Sequence, residues 1–385
     1  MNNIAYFDNA ATTFPKPEEV YLFTDKFHRE YGVNVGRGQY DLASEALSMV
    51  SETRELLLDL NHSPKKKVVF TPSATEAINV ILNGLKWIQG GNVYLSPFEH
   101  NSVLRTLHVL QQKNKLQLRI IPVNKSNYTY DLSQLQAEFE RYPPCLVVLS
   151  HASNVIGLIA PMIEIFELAK KYNAITLADM CQTMGLISID LNNSSVDFAV
   201  FAGHKTLYAP LGVAGFICRP DVELEPLLFG GTGIDSANKD LPKTIPEKFE
   251  VGSLNVLAIA GLNAALKWHN RISQEKIFLV EKANHRRMIS LLQGFTNVKI
   301  VPYNHESESI GIVSCLFEGY SSDSIGQILN ERKVAVRTGL HCAPDAHRFI
   351  GTFPDGTVRF SVSFFNDDKD FDVLEQALVY IEENS

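Results

Sequence analysis

At 385 residues the chain is long enough for one large domain and a smaller one, each with its own core. It carries 35 Lys and Arg against 43 Asp and Glu, a formal net charge of -8, and 45% hydrophobic residues. That is an ordinary globular composition, without the clustered basic surface that nucleic acid or an anionic membrane requires. The opening MNNIAYFDNAATTF has neither the basic start nor the apolar stretch of a signal peptide, and no apolar run approaches the roughly 20 residues of a membrane helix. The cytoplasm is therefore the expected compartment.

In chain order, the first feature is a short basic run, Lys65 to Lys67, which reads as a solvated turn before a strand. From about residue 67 to 220, short apolar runs alternate with amphipathic stretches. KVVFT, NVYLSP, LRIIPV, CLVVLSH, AITLAD, FAVFAG and VAGFIC read as buried strands, while TEAINVILNGLKW and PMIEIFELAKKYN read as helices. Such alternation predicts an α/β domain with a mostly parallel sheet covered on both faces; FICRP, next to the short link PLG, reads as an antiparallel member. After about residue 260 helices precede separate strands (SIGIVSCLFEG, KVAVRTG, TVRFSVSFF), with a last helix near DFDVLEQALVYIEEN, which predicts a smaller α+β domain. We expect the domains to be joined by continuous helix around residues 255 to 270. The large domain is taken as residues 15–260, and the small one as 1–14 with 261–385.

Polar, reactive residues recur where the strands end, which is where open α/β sheets bind ligands. PSATE sets Ser73 and Thr75 at a helix start, where free amides and the helix dipole attract an anion, although a plain N-cap with Glu76 in the first turn explains them too. His100 reads equally as a core or surface histidine, Asn154 as a turn residue before Gly157, and Asp179 as a cap. Lys205 is harder to assign to structure alone. At the mouth of a buried strand its ammonium is partly desolvated, which favours the free amine a Schiff-base lysine needs. Taken together, the set suits pyridoxal 5'-phosphate. That cofactor needs a lysine for its aldehyde, a carboxylate for its pyridine nitrogen, an anion cradle and a planar group against its ring. Lys205, Asp179, the Ala74 and Thr75 amides with His204, and His100 supply these in turn.

A second cluster, RTGLHCAP, lies on a loop after KVAV. The cysteines at 145, 181, 218, 315 and 342 are odd in number and form no CxxC pair, so neither a disulfide framework nor a structural zinc site is expected, and no metal is assigned. Four read as small buried hydrophobes. Cys342 differs: His341 beside it and Arg337 nearby would supply positive charge that favours a nucleophilic thiolate. Arg359, in the alternating TVRFSVSFF, either faces solvent or clamps a carboxylate with two parallel bonds.

With these residues in view, the chain resembles the class V aminotransferase-like cysteine desulfurases, which are fold type I pyridoxal-phosphate enzymes, nearly end to end. The resemblance rests on FAGHKTLYAPLGVAGF, LADMCQTMG, SHASNVIG, KFEVGSLN and RTGLHCAP with TVRFSVSFFN. The short RTGLHCAP form is similar to the second desulfurase group, related to selenocysteine lyases. The resemblance implies a seven-stranded sheet in the large domain and a role for each position. Lys205 would hold the cofactor and move the substrate's α proton, Asp179 would pair with the pyridine nitrogen, Gln182 with the phenolic oxygen, and His100 would stack on the ring. Thr75 and His204 would hold the phosphate, with Ser253 reaching it from the second subunit of a homodimer. Asn154 and Arg359 would orient the substrate carboxylate, and Arg37 would stand at the entrance. Ala202 and Ser253 stand where the family often has Ser and Thr, and Cys181 lies between Asp179 and Gln182.

The implied reaction takes sulfur from L-cysteine, or selenium from L-selenocysteine, leaving alanine and a persulfide on Cys342 for a possible acceptor protein. Transamination, racemisation or β-elimination on the same fold would leave Cys342 dispensable. A non-catalytic scaffold that has kept the fold would not take up cofactor.

Overall fold

Residues 4–35, 38, 40–233, 237–301 and 308–384 are described by a computed structural model. The chain begins with β1 (Ala5–Tyr6), α1 (Glu18–Tyr31) and α2 (Asp41–Leu60), then enters the alternating region: β2 (Lys67–Thr71), α3 (Ala74–Gly84), β3 (Asn92–Leu95), α4 (Asn101–Asn114), β4 (Gln117–Ile120), α5 (Leu132–Arg141), β5 (Pro144–Ser150), α6 (Met162–Lys170), β6 (Ile175–Asp179), β7 (Phe198–Ala202) and β8 (Ala214–Cys218). Two long helices follow, α7 (Val256–Ile272) and α8 (Gln274–Gln293). The rest is β9 (Val298–Val301), β10 (Ile312–Phe317), α9 (Ser322–Glu331), β11 (Val334–Ala335), β12 (Arg337–Gly339), α10 (Pro344–Ile350), β13 (Thr357–Ser361) and α11 (Asp368–Glu383).

Strands β2 to β8 form one seven-stranded sheet in the order β2-β8-β7-β6-β5-β3-β4, and β8 runs antiparallel to both of its neighbours. β7 and β8 are buried at every position, as continuous apolar strands between two helical layers must be. One apolar layer lies between the sheet and α1, α2, α6 and α7; the other contains Ile78, Ile81, Val103 and Leu107 of α3 and α4. The registers pair Ser150 with Asp179 and Asp179 with Val200, so the carboxyl ends of β5, β6 and β7 emerge side by side. β2, antiparallel to β8, ends at the same edge.

The small layer is a four-stranded antiparallel sheet, β12-β13-β10-β9, around a core of Phe7, Met288, Leu292, Val313, Phe360 and Leu374. KVAVRTG is two strands rather than one: Val334–Ala335 pairs in parallel with β1, and Arg337–Gly339 pairs with β13. α7 keeps its apolar face in the large core as far as Leu266, and the helix breaks at Ser273 (φ +73°), whose side chain caps α8. We propose that the chain changes domain at Ser273 rather than at 260/261, because α7 beyond residue 260 is still bonded to α1 and α2, Asn263 and Lys267 to Glu52 and Arg271 to Glu19. The basic run also departs from expectation. Lys66 is buried, with Nζ donating at 2.5 Å to the carbonyl of Val196, two residues before β7.

Candidate active site

The carboxyl ends of the large sheet and the β12–α10 loop enclose a cavity of about 240 Å³. Its walls include Ala74, Thr75, His100, Asn154, Asp179, Gln182, His204, Lys205, Arg337, Cys342 and Arg359. Residues from every strand end singled out in the sequence therefore meet at one place. Ser253 is exposed and outside this wall, bonded to Asn34 at 3.2 Å. Arg37 lies outside the described residues.

Lys205 stands in the tight turn after β7. Gly203 makes that turn possible: a Cβ there would meet the Val213 carbonyl at 2.7 Å. The turn closes through Ala209 N to Gly203 O and Tyr208 N to Lys205 O, both 2.8 Å. His204 beside it is neutral, its pKa pulled down to about 4 by burial and then by the charges of Lys205 and Lys16. Asp179, at the end of β6, accepts the Cys181 amide at 3.0 Å, and the Cys181 thiol is held protonated by burial and by that carboxylate. Gln182 Nε2 donates to the Ala10 carbonyl at 3.0 Å and has a second N–H to offer.

On the opposite wall His100 caps α4. Its Nδ1 accepts the Ser102 amide at 3.1 Å and lies 2.8 Å from the Ser102 hydroxyl, which fixes the ring orientation. Burial lowers its pKa, with Asp179 opposing and Lys205 assisting. At the start of α3 the Ser73 hydroxyl takes the Glu76 amide, and the amides of Ala74 and Thr75 have no partner within the helix.

The nucleophile candidate is held in an unusual backbone. His341 and Cys342 both have positive φ, +47° and +59°, at a cost of about 1–2 kcal/mol each. Two bonds hold the pair: Asn154 Nδ2 donates to the His341 carbonyl at 2.7 Å, and the Asn101 amide to the Cys342 carbonyl at 2.7 Å. Arg337 Nη2 lies 3.8 Å from Cys342 Sγ. His341 does not serve the thiol as its sequence position suggested. It is buried, bonded through Nε2 to Thr357 Oγ1 at 2.9 Å, and burial, then Arg359, pushes its pKa down to about 2, so it carries no charge. Sequence adjacency places its backbone beside the sulfur, while the left-handed turn sends its ring into the small domain.

Arg359 is 2% exposed, which removes the solvent-facing reading. It donates to the Asn154 carbonyl at 2.9 Å and to Asp8 Oδ1 at 2.8 Å, while its buried Nε has no partner among the described residues. Burial lowers its pKa and Asp8 opposes the shift.

Several residues here escaped the sequence reading. Asp8 and the Asn9–Lys16 stretch sit in YFDNAATTFPKP, a conspicuous motif to which no role was attached. Glu99, next to His100, is fully buried, bonded to Ser96 Oγ at 2.5 Å and to Ser150 N and Oγ at 2.8 Å, and burial lifts its pKa to about 7. A carboxylate directly before a cavity histidine was the available signal.

The wall suits an anionic, planar, aldehyde-bearing group. Lys205, Arg337 and Arg359 outweigh the single carboxylate Asp179, the helix start offers free amides, and the buried His204 Nδ1 lacks a partner among the described residues. Among the described residues no helix is long and apolar enough to cross a membrane.

Comparison with known proteins places the chain in a family. The family model for class-V aminotransferases matches residues 5–374. A probable cysteine desulfurase of Methanothermobacter thermautotrophicus is 29% identical over 385 residues, covering 98% of this chain and 94% of that protein. One of Aeropyrum pernix is 30% identical over 392 residues, covering 97% and 93%. Among solved structures, the apo cysteine desulfurase of Thermococcus onnurineus superposes with a TM-score of 0.91 at 27% identity, covering 100% of this chain and 96% of that one. The Escherichia coli cysteine desulfurase CsdA, at 24% identity and a TM-score of 0.87, over 100% and 96% of the two chains, shares the fold. The chain belongs to the class-V aminotransferase family.

Proposed function

We propose that this protein is a pyridoxal-phosphate-dependent cysteine desulfurase, with Lys205 as the cofactor-bearing residue and Cys342 as the sulfur acceptor. The observation that carries the reading is that Lys205, Asp179, Arg359 and Cys342 line one cavity, with Arg337 beside the sulfur. The desulfurase relatives support the same assignment.

Pyridoxal 5'-phosphate, when bound, supplies an aldehyde that links to amines and a ring that spreads negative charge from the substrate's α carbon. The chain's own residues do the rest. The α3 amides at Ala74 and Thr75, with His204, would hold the phosphate, the Asp179 carboxylate would keep the proton on the ring nitrogen, and Gln182 would bond the phenolic oxygen. His100, its ring orientation fixed by Ser102, would supply the planar group against the ring. Arg359 would take the substrate carboxylate, using the Nε that has no acceptor among the described residues. Lys205 removes the proton at Cα. The Cys342 thiolate, with Arg337 as its countercharge, then attacks the substrate sulfur. An S–S bond forms as the Cβ–S bond breaks, the electron pair stays with the carbon skeleton, and protonation yields alanine. The sum, one cysteine and one thiol to one alanine and one persulfide, needs no external oxidant or reductant.

At the start of α3, where the phosphate would sit, Ser73 and Thr75 are exposed, and Ser253 is exposed and outside its own cavity. Exposed Leu211, Leu228 and Phe229 add apolar surface of the kind a homodimer buries. This supports an assembly in which Ser253 of one subunit closes the phosphate site of the other. A protein thiol is the expected acceptor of the persulfide, and the cytoplasm the expected compartment.

The test is alanine release from L-cysteine and from L-selenocysteine by wild type and Cys342→Ala, both loaded with cofactor. Alanine from cysteine that vanishes in the variant supports the proposal. Alanine from selenocysteine alone assigns a selenium lyase. A keto acid or pyruvate that persists without Cys342 assigns another reaction of the same fold.

A further inference from the structure

The segment leading from β1 into α1 carries a lysine that the chemistry above does not use. Lys16 Nζ donates to the His204 carbonyl at 2.7 Å and to Thr13 Oγ1 at 2.6 Å. The same carbonyl also receives the Thr13 amide at 3.1 Å and the Thr12 hydroxyl at 3.0 Å, while Thr13 Oγ1 lies 3.1 Å from the Lys205 carbonyl. A carbonyl has two lone pairs. Four donors from one short segment, the Thr13 hydroxyl at 3.3 Å included, converge on this one and mark it as an anchored group, and it belongs to the peptide that joins His204 to Lys205.

An ammonium is a costly anchor in such a place. Lys16 is half-buried and has no ion pair among the described residues; burial alone brings its pKa down to about 7. The two threonines already hold the carbonyl with neutral donors, so fold stability alone does not call for a charge. What the charge adds is a further rigid support, and a positive field reaching the His204 ring. At its other end the same segment carries Asp8, the partner of Arg359. Residues 8–16 therefore run from the substrate clamp to the Lys205 turn.

We propose that Lys16 is a positioning residue for Lys205, its ammonium anchoring the His204–Lys205 peptide so that the Lys205 amine is presented to the cofactor aldehyde in one geometry. The inference rests on Lys205 being the cofactor-bearing residue, and not on the sulfur chemistry.

The experiment compares wild type, Lys16→Met and Lys16→Arg, with circular dichroism establishing that each is folded. Apoprotein is mixed with pyridoxal phosphate; covalent capture is followed by absorbance and, after borohydride trapping, located on the Lys205 peptide. Steady-state alanine formation gives kcat and KM separately. Capture about tenfold slower or worse in Lys16→Met, a similar loss in kcat with little change in KM, and partial recovery in Lys16→Arg are expected. Capture and kcat equal to wild type in folded Lys16→Met, with only the melting temperature lowered, would overturn the proposal and leave Lys16 a structural residue. If Lys16→Met does not fold, Lys16→Gln replaces it, and wild-type capture there overturns the proposal equally. A wild type that captures cofactor but makes no alanine defeats the desulfurase reading and leaves this one to the capture rates.

Discussion

Replacing Asn154 by alanine tests how the Cys342 turn is held. The side-chain amide of Asn154 is the donor to the buried His341 carbonyl, at 2.7 Å, while its own backbone carbonyl continues to accept Arg359 in the variant. Removing the amide leaves a buried acceptor unmatched, which costs about 1–3 kcal/mol. The loss falls on two residues already in left-handed conformations, so the anchor at the Cys342 carbonyl and the His341–Thr357 bond must hold a strained turn without it. Taken as a shift between held and released turns, about 1–3 kcal/mol raises the released population by about 5- to 150-fold. For a chain of this size the melting temperature should fall by about 1–4 °C. The assay is iodoacetamide alkylation of the apoprotein, in which no cofactor contact enters, with Cys342→Ala giving the background from the other thiols. Asn154→Ala should alkylate Cys342 several-fold faster and melt earlier. A folded variant with unchanged alkylation and unchanged melting would show that the turn is held by something other than this bond.

Glu99 gives a stability signature with a definite sign. Its folded pKa, about 7, lies above the ordinary carboxyl value of 4.5, so between those limits the folded state keeps a proton the unfolded state has lost, and stability falls as pH rises. Urea unfolding from pH 4.5 to 8 should show a wild-type decline, relative to Glu99→Gln, approaching about 3 kcal/mol and levelling off above pH 7; a flat difference would mean that Glu99 is ionised in the fold. Arg359→Lys keeps a charge but not a fork that can reach Asn154, Asp8 and a substrate carboxylate together. KM for L-cysteine should rise about tenfold or more with a smaller change in kcat, and an unchanged KM would remove Arg359 from substrate binding.

The parts of the site legible in the sequence were those fixed by the α/β rule alone. Lys205, Asp179, Asn154 and His100 each follow an apolar strand, and parallel strands in one sheet must deliver their carboxyl ends to one edge. What the sequence left open was decided by contacts between distant segments. Arg359 sits in an alternating strand whose outer face is covered by the N-terminal segment, so only the fold shows it buried against Asp8, 351 positions away. His341 was read as a charge beside the thiol because it is the preceding residue. The positive φ values of this pair, which no composition signal announces, turn its ring away. Lys66 lies within a basic run, yet a lysine stem is long enough to carry its ammonium to the carbonyl of Val196, just before β7. Lys16 was invisible as a participant for the same reason, being defined by the backbone carbonyl it meets, while Glu99 was signalled only by its place directly before His100.

The most direct measurement of the central claim is the mass of the Cys342 peptide after the cofactor-loaded protein has turned over L-cysteine, with the persulfide alkylated before digestion. The account predicts one added sulfur atom on Cys342, formed in step with the first equivalent of alanine and absent when cofactor is omitted. Alanine accumulating while Cys342 stays unmodified from the first turnover, or sulfur appearing on Cys181 or Cys145 instead, would contradict it.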